Sequence, residues 1–247
     1  MVALRVRMTK SIACHWTILA CQYTGSLLVI ATAGQLAAAQ VPPAPQARFV
    51  VVLDAAHGGD DPGGRLSNGQ PEKAFTMALS VRLRSLLAAR GIQVVTTRES
   101  DVAVDLNRRA EIANHANAQA CLSLHASESG SGVHIFASSL TPAQPMRFAA
   151  WKTAQAAWIP RSMALTGVLN SALLHAGMNV TLGRTTLLAV DSMTCPAVAI
   201  EIAPERGSGQ TIKAGLDDPG YQARVAEALA AALVEWRSDS GSGAHQP

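Results

Sequence analysis

The apolar positions of this chain change period several times, and each change marks an element. Arg48 to Asp54 carries the unbroken run Phe49-Val-Val-Val-Leu53, the pattern of a strand buried on both faces. Phe75, Leu79, Leu83, Leu86 and Leu87 then recur at helical spacing, with Pro71 suited to the first helical position and Gly91 to the C-terminal cap. Ile92 to Thr97 is β-branched and predicts the next strand. A right-handed crossover through the intervening helix makes the two strands parallel.

The alternation continues along the chain. Helices are expected over Leu106–Ala116, Arg161–Ala176 (stopped by Gly177) and Tyr221–Trp236. Strands are expected over Ala120–His125, Gly132–Ala137, Leu187–Val190 and Ala197–Ile202. No internal repeat is visible. The fold class is α/β: a single open, mostly parallel sheet with helices on both faces.

The first 39 residues follow another logic. Arg5, Arg7 and Lys10 precede an apolar stretch, Ile12 to Leu36, that contains no acidic residue and closes on Ala37-Ala-Ala39. That is the layout of a signal peptide cleaved near Ala39, which implies a periplasmic or secreted protein. An uncleaved membrane anchor is the alternative, weakened by Gln22, Thr24 and Ser26. Membrane contact is expected only through this segment. Ile18-Leu-Ala-Cys21 loosely resembles a lipobox, but the apolar run before it is too short. Val41 to Gln46 is a Pro-rich linker within 40–47, the catalytic domain is expected over 48–237, and 238–247 reads as a mobile polar tail.

Charge and cysteine content then narrow the function. The chain has 20 basic and 17 acidic residues, and three of the basic ones belong to the leader, so the secreted part is formally neutral. No basic field remains to attract nucleic acid. Of the four cysteines, Cys14 and Cys21 leave with the leader. Cys121 and Cys195 remain, free to pair in an oxidising compartment and equally suited to buried apolar positions.

In open α/β sheets ligands bind beyond the carboxyl ends of the strands. His57 follows the first strand, His125 ends the Cys121-Leu-Ser-Leu-His strand and Glu201 ends the Ala197-Val-Ala-Ile-Glu strand; Glu72 lies in the first turn of the helix leaving the His57 loop. Each alone has a structural explanation, such as a hydrogen-bonded histidine or a carboxylate at a helix N-terminus. Together they fall at one edge. Two imidazoles and a carboxylate suit a zinc site with its fourth position open to water, and Glu201 is then available to move protons. Asp60 and Asp61 are rival ligands to Glu72, better suited to shaping the turn, and Asp54 is a candidate to orient His57. Of the other histidines, His115 reads as surface, His134 as a residue that could line the cleft, and His175 as a helix C-terminal partner.

The segments Leu53-Asp-x-x-His-Gly-Gly-x-Asp-Pro-Gly, Glu72-Lys73, Thr97-Arg98, Arg109-x-x-x-Ala-Asn114, Ser123-Leu-His125 and Pro196-Ala-Val-Ala-Ile-Glu201 resemble the zinc-dependent N-acetylmuramoyl-L-alanine amidase family, the type 3 amidase domain. Pro219-Gly-Tyr-Gln also matches. The resemblance covers about residues 48–236, with a poorly matching middle. It implies peptidoglycan as substrate, cleavage of the amide between the lactyl group of muramic acid and L-alanine, Zn2+ on His57, Glu72 and His125, and Glu201 as the catalytic carboxylate.

The departures from the pattern are local. Ala55-Ala56 stands where the family has Pro-Gly, and Ile202-Ala-Pro-Glu-Arg-Gly207 where it continues Gly-Phe-x-Ser-Asn, which makes Glu205 a second, weaker candidate for proton transfer. Some family members plug the zinc with a glutamate from an inserted helix until an activator displaces it. Here no acidic residue lies between Glu128 and Asp191, so no such plug is expected, and an activator protein is possible but not implied. Trp151 and Trp158 in this stretch suit core packing better than a glycan-facing surface. Two competing readings remain: a zinc peptidase acting on stem peptides, and a catalytically silent wall-binding or regulatory domain.

Overall fold

The computed structural model describes residues 48–144 and 150–242. The expected leader, its lipobox-like stretch, the linker through residue 47 and the last five residues lie outside the described residues. The strands are β1 (Val50–Ala55), β2 (Gln93–Thr96), β3 (Ala120–Ala126), β4 (Val133–Ser138), β5 (Val180–Thr185), β6 (Ala197–Ile202), β7 (Glu205–Arg206) and β8 (Ile212–Ala214). The helices are α1 (Glu72–Ala89), α2 (Leu106–His115), α3 (Ile159–His175) and α4 (Pro219–Ser242), with short 3-10 turns at Trp151–Trp158 and Val190–Ser192.

Six strands form one open sheet in the order β2-β1-β3-β6-β4-β5. β2, β1, β3 and β6 are mutually parallel, whereas β4 runs antiparallel to β6 and parallel to β5. Side-chain alternation along the strands splits the core into two layers. Val51, Leu53, Leu122, Leu124, Val198 and Ile200 face α1, α3 and α4 in a thick apolar layer. Val50, Val52, Cys121 and Ala197 face a thinner one, closed by Ala110 and Ala113 of α2 and by Val190 and Met193. The thin cover leaves room for a cleft beyond the strand ends.

Local chemistry fixes the boundaries. α1 begins one residue later than expected, because Pro71 takes the N-cap in an extended conformation and Glu72 becomes the first helical residue. The Asp105 side chain accepts from the amides of Asn107 and Arg108 and so starts α2. α4 runs past the expected boundary at 237, so the first part of the polar tail is helical. Leu187–Val190 is not a strand. The Asp191 carboxylate accepts from the Leu187 amide at 3.1 Å, which curls this apolar run into a turn and the following 3-10 helix. The strand in that region is β5, mostly exposed at the sheet edge and lacking the apolar pattern of its neighbours. Cys121 and Cys195 are joined by a disulfide across 74 residues, with Cα atoms 6.4 Å apart. Among the described residues, no helix is long and apolar enough to cross a membrane.

Candidate metal centre

The loop after β1 is shaped by its main chain. His57 has φ of +63°, a left-handed conformation that costs energy for a residue with a side chain. Two buried guanidinium groups hold it there. Arg98 donates to the carbonyls of Ala55 at 2.9 Å and Ala56 at 3.0 Å. Arg109 donates to the carbonyls of Ala55 at 2.8 Å and His57 at 2.7 Å, and pairs with the Asp54 carboxylate at 2.6 Å. The chain then folds back so that Gly63 (φ +66°) lies against the imidazole. A Cβ at Gly63 would come within 2.5 Å of the His57 ring and 2.8 Å of the Glu72 carboxylate.

Asp61 sits 2.8 Å from Nδ1 of His57 and accepts from the Gly63 amide. These two hydrogen bonds, that to His57 first, keep its carboxyl below the usual range. An ionised carboxylate only accepts, so the proton of a neutral His57 belongs on Nδ1 and the lone pair on Nε2. The expectation for Asp54 is thereby corrected. Asp54 is spent on the Thr97 hydroxyl, Arg109 and the Ser123 hydroxyl, and it braces the loop rather than the imidazole. Asp61 orients the ring, and Asp60 is exposed to solvent.

Nε2 of His57 points at Glu72, 3.1 Å from Oε2. Oε1 of Glu72 lies 3.1 Å from Nδ1 of His125 and accepts from the Ala126 amide, while Oε2 accepts from the Gly64 amide. The two imidazoles meet edge to face, 5.6 Å between centroids. Burial by itself raises the Glu72 carboxyl. Hydrogen bonds from His125, Gly64 and Ala126, with His57 close by, outweigh it and bring the pKa down to about 2. His57, Glu72 and His125 thus offer three donor atoms within 4.8 Å of one another. Two imidazole nitrogens and a carboxylate that is ionised at neutral pH form a donor set that zinc takes, and a metal would collect all three from one point.

The cluster opens on a cleft of about 700 Å³ whose walls include His57, Asp61, His125, Leu106, Leu187 and Leu188. Glu201 stands outside the three-donor group. It pairs in register with His125 across β3–β6 and with His134 across β6–β4, and its Oε1 lies 3.2 Å from Nδ1 of His134. Glu205, the second candidate, is bound instead to Arg224 at 2.8 Å. His115 and His175 are exposed, the latter with Nδ1 2.7 Å from the Ser171 carbonyl near the end of its helix. Trp151 is half exposed and Trp158 only partly buried, so neither belongs to the core. Sequence reasoning missed Asp61 as the partner of His57, because the contact is made by a turn with positive φ angles rather than by a helical spacing. It also missed the two-arginine clamp, whose members appear only as isolated letters of the Thr97-Arg98 and Arg109 motifs.

An open α/β sheet with a His–Glu–His group at its carboxyl edge, beside a cleft, defines a class of proteins whose side chains could hold a metal ion there. Within it, the chain belongs to the N-acetylmuramoyl-L-alanine amidase family, whose model matches residues 51–235. AmiA of Escherichia coli is 38% identical over 94 residues, which are 36% of this chain and 32% of that protein. The chain therefore spans about a third of the first curated relatives it matches. An N-acetylmuramoyl-L-alanine amidase of Mycobacterium tuberculosis is 28% identical over 202 residues, 71% of this chain and 82% of that one. Among solved structures, the catalytic domain of CwlV from Bacillus (Paenibacillus) polymyxa superposes with a TM-score of 0.60 at 26% identity, covering 77% of this chain and 98% of that chain. Ami1 from Mycobacterium smegmatis shares the fold, with a TM-score of 0.63 at 20% identity over 77% of this chain and 97% of that chain.

Proposed function

We propose that this protein hydrolyses the amide between the lactyl group of N-acetylmuramic acid and L-alanine in peptidoglycan, with zinc held by His57, Glu72 and His125. The observation that carries the reading is the convergence of these three donors on an open cleft, in a chain of this family. Held by these three residues, zinc would supply Lewis-acid chemistry, bringing the pKa of a water toward about 7 and polarising the scissile carbonyl. Glu201 accepts a proton from the attacking water and passes it to the alanine nitrogen as the C–N bond breaks, leaving a lactyl carboxylate and a free amine. Asp61 keeps the His57 lone pair directed inward, and the Arg98–Arg109 clamp keeps the loop in place.

The protein acts outside the cytoplasm, after removal of a leader near Ala39. The disulfide between Cys121 and Cys195 supports an oxidising compartment. Its partner is peptidoglycan rather than nucleic acid. Incubation of zinc-loaded protein with purified sacculi tests the reading by mass spectrometry. New L-alanine amino termini with intact glycan strands are expected, and a chelator should abolish them. Cuts within the stem peptide would favour a peptidase, and intact sacculi a silent wall-binding domain.

A further inference from the structure

Glu201 lies one residue before the end of β6 with its side chain about a third exposed, a setting in which an unrestrained glutamate samples several rotamers. One side chain restrains it. β4 runs antiparallel to β6 and sets His134 opposite Glu201, while β3 sets His125 opposite Glu201 from the other side. Strand alternation puts Glu201 on the same face as Ala199, which lines the cleft, and His125 on the same face as Ser123, which also lines it. His125, Glu201 and His134 therefore form a row across three strands on the cleft side of the sheet.

We infer that His134 is a positioning residue for Glu201, holding one carboxylate oxygen so that the other is presented to the water and the leaving nitrogen. The inference rests on the amidase reading and adds a residue to it. Nδ1 of His134 lies 3.2 Å from Oε1 of Glu201, and among the described residues this is the hydrogen bond the carboxylate makes. An ionised carboxylate only accepts, so Nδ1 donates. The imidazole is itself held. Its side chain is 14% exposed, Phe136 stands edge-on at 6.3 Å, and the main chain of Gly130 closes over the ring. A Cβ at Gly130 (φ +85°) would fall 2.1 Å from Cε1 of His134, so the loop reaches this position only as glycine. A residue serving only to fill β4 has no need of a polar ring wedged in one orientation against the proton carrier.

Kinetics of the full chain, with zinc content measured alongside, test the inference. His134→Ala should lower kcat about 10- to 100-fold, the scale of an ångström-sized misplacement, with KM and bound zinc unchanged. His134→Asn, whose amide nitrogen can donate from a similar position, should recover most of the loss. In a Glu201→Gln background, His134→Ala should cost nothing further, because the group it positions is already disabled. Equal fractional losses in both backgrounds, or an unimpaired His134→Ala, would overturn the role. An inactive wild type would overturn the amidase reading instead. The contact has its own readout in 15N histidine spectra: Nδ1 of His134 should be protonated and should shift on Glu201→Gln, and an unprotonated Nδ1 or an unmoved resonance counts against it.

Discussion

Arg109 donates to the main-chain carbonyl of His57 at 2.7 Å, 52 residues away in sequence, while the same guanidinium neutralises the buried carboxylate of Asp54. One side chain thus ties the left-handed backbone of His57 to the end of β1. Arg109→Leu should strand Asp54 as an unpaired buried charge, at a cost of roughly 3–5 kcal/mol in urea unfolding. It should also weaken zinc in a chelator competition, since His57 loses its restraint. Arg109→Lys can keep the charge but not the fork, so it should recover stability better than metal affinity. Normal zinc affinity in Arg109→Leu would mean that the clamp does not set the ligand.

The parts of this architecture that were legible in the sequence are those with strong periodicity. Phe49 to Leu53 and Ala197 to Ile200 are apolar runs because their strands are covered on both faces, and topology then dictates that His57, His125 and Glu201 meet at one edge. β5 was not legible, because an exposed edge strand such as Val180–Thr185 has no apolar face to advertise. Leu187–Val190 was misread because four apolar residues fit a turn as well as a strand, and the deciding group, the Asp191 carboxylate, lies beyond them. Asp54 was misassigned for a related reason. Successive positive φ angles at His57, Gly58 and Gly59 fold Asp61 back onto the imidazole, and no spacing rule reveals such a turn.

The low pKa of Glu72 makes the metal-free fold sensitive to acid. A carboxyl at about 2 in the folded state, against 4.5 for the unperturbed group, contributes stability that is fully present above pH 4.5 and lost as pH falls toward 2. The shift is worth at most about 3 kcal/mol, and roughly 1–2 kcal/mol after screening by solvent in the cleft. Urea unfolding in the presence of a chelator should show this loss in the wild type and a flatter profile for Glu72→Gln over the same pH window. Parallel profiles would remove Glu72 as the source.

The disulfide ties β3, four residues before His125, to the segment leading into the strand that carries Glu201. Closing a long loop restricts the unfolded chain, and loss of such a bridge costs roughly 2–5 kcal/mol. Paired Cys121→Ala and Cys195→Ala substitutions should lower the urea midpoint accordingly. Both sulfurs lie in the thin core layer, so the small cavity left behind adds to the effect. An unchanged midpoint would show that packing around these positions suffices without the bond.

The roles assigned to His125 and Glu201 separate cleanly by experiment, because only one of them belongs to the three-donor group. His125→Ala should lower bound zinc below one equivalent and abolish activity with it. Glu201→Gln should keep its zinc and lose turnover by about 100-fold or more, the usual contribution of a positioned acid–base group. Zinc analysis beside product release checks both. A Glu201→Gln protein that keeps its turnover would pass the proton-carrying role to another group, and Glu205, bound to Arg224, is poorly placed to take it.

A plug of the carboxylate type needs an acidic side chain able to reach the cluster, and the sequence between Glu128 and Asp191 has none. The two flanking acids are already engaged: Glu128 accepts from the Ser67 amide at 2.8 Å, and Asp191 is buried with one oxygen on the Leu187 amide. Freeing either would break a contact that holds its own loop. The purified zinc-loaded protein should therefore cleave sacculi at full rate without an added protein, and supplementation with cell extract should leave that rate unchanged. A large stimulation by extract would point to a form of inhibition that does not use a carboxylate.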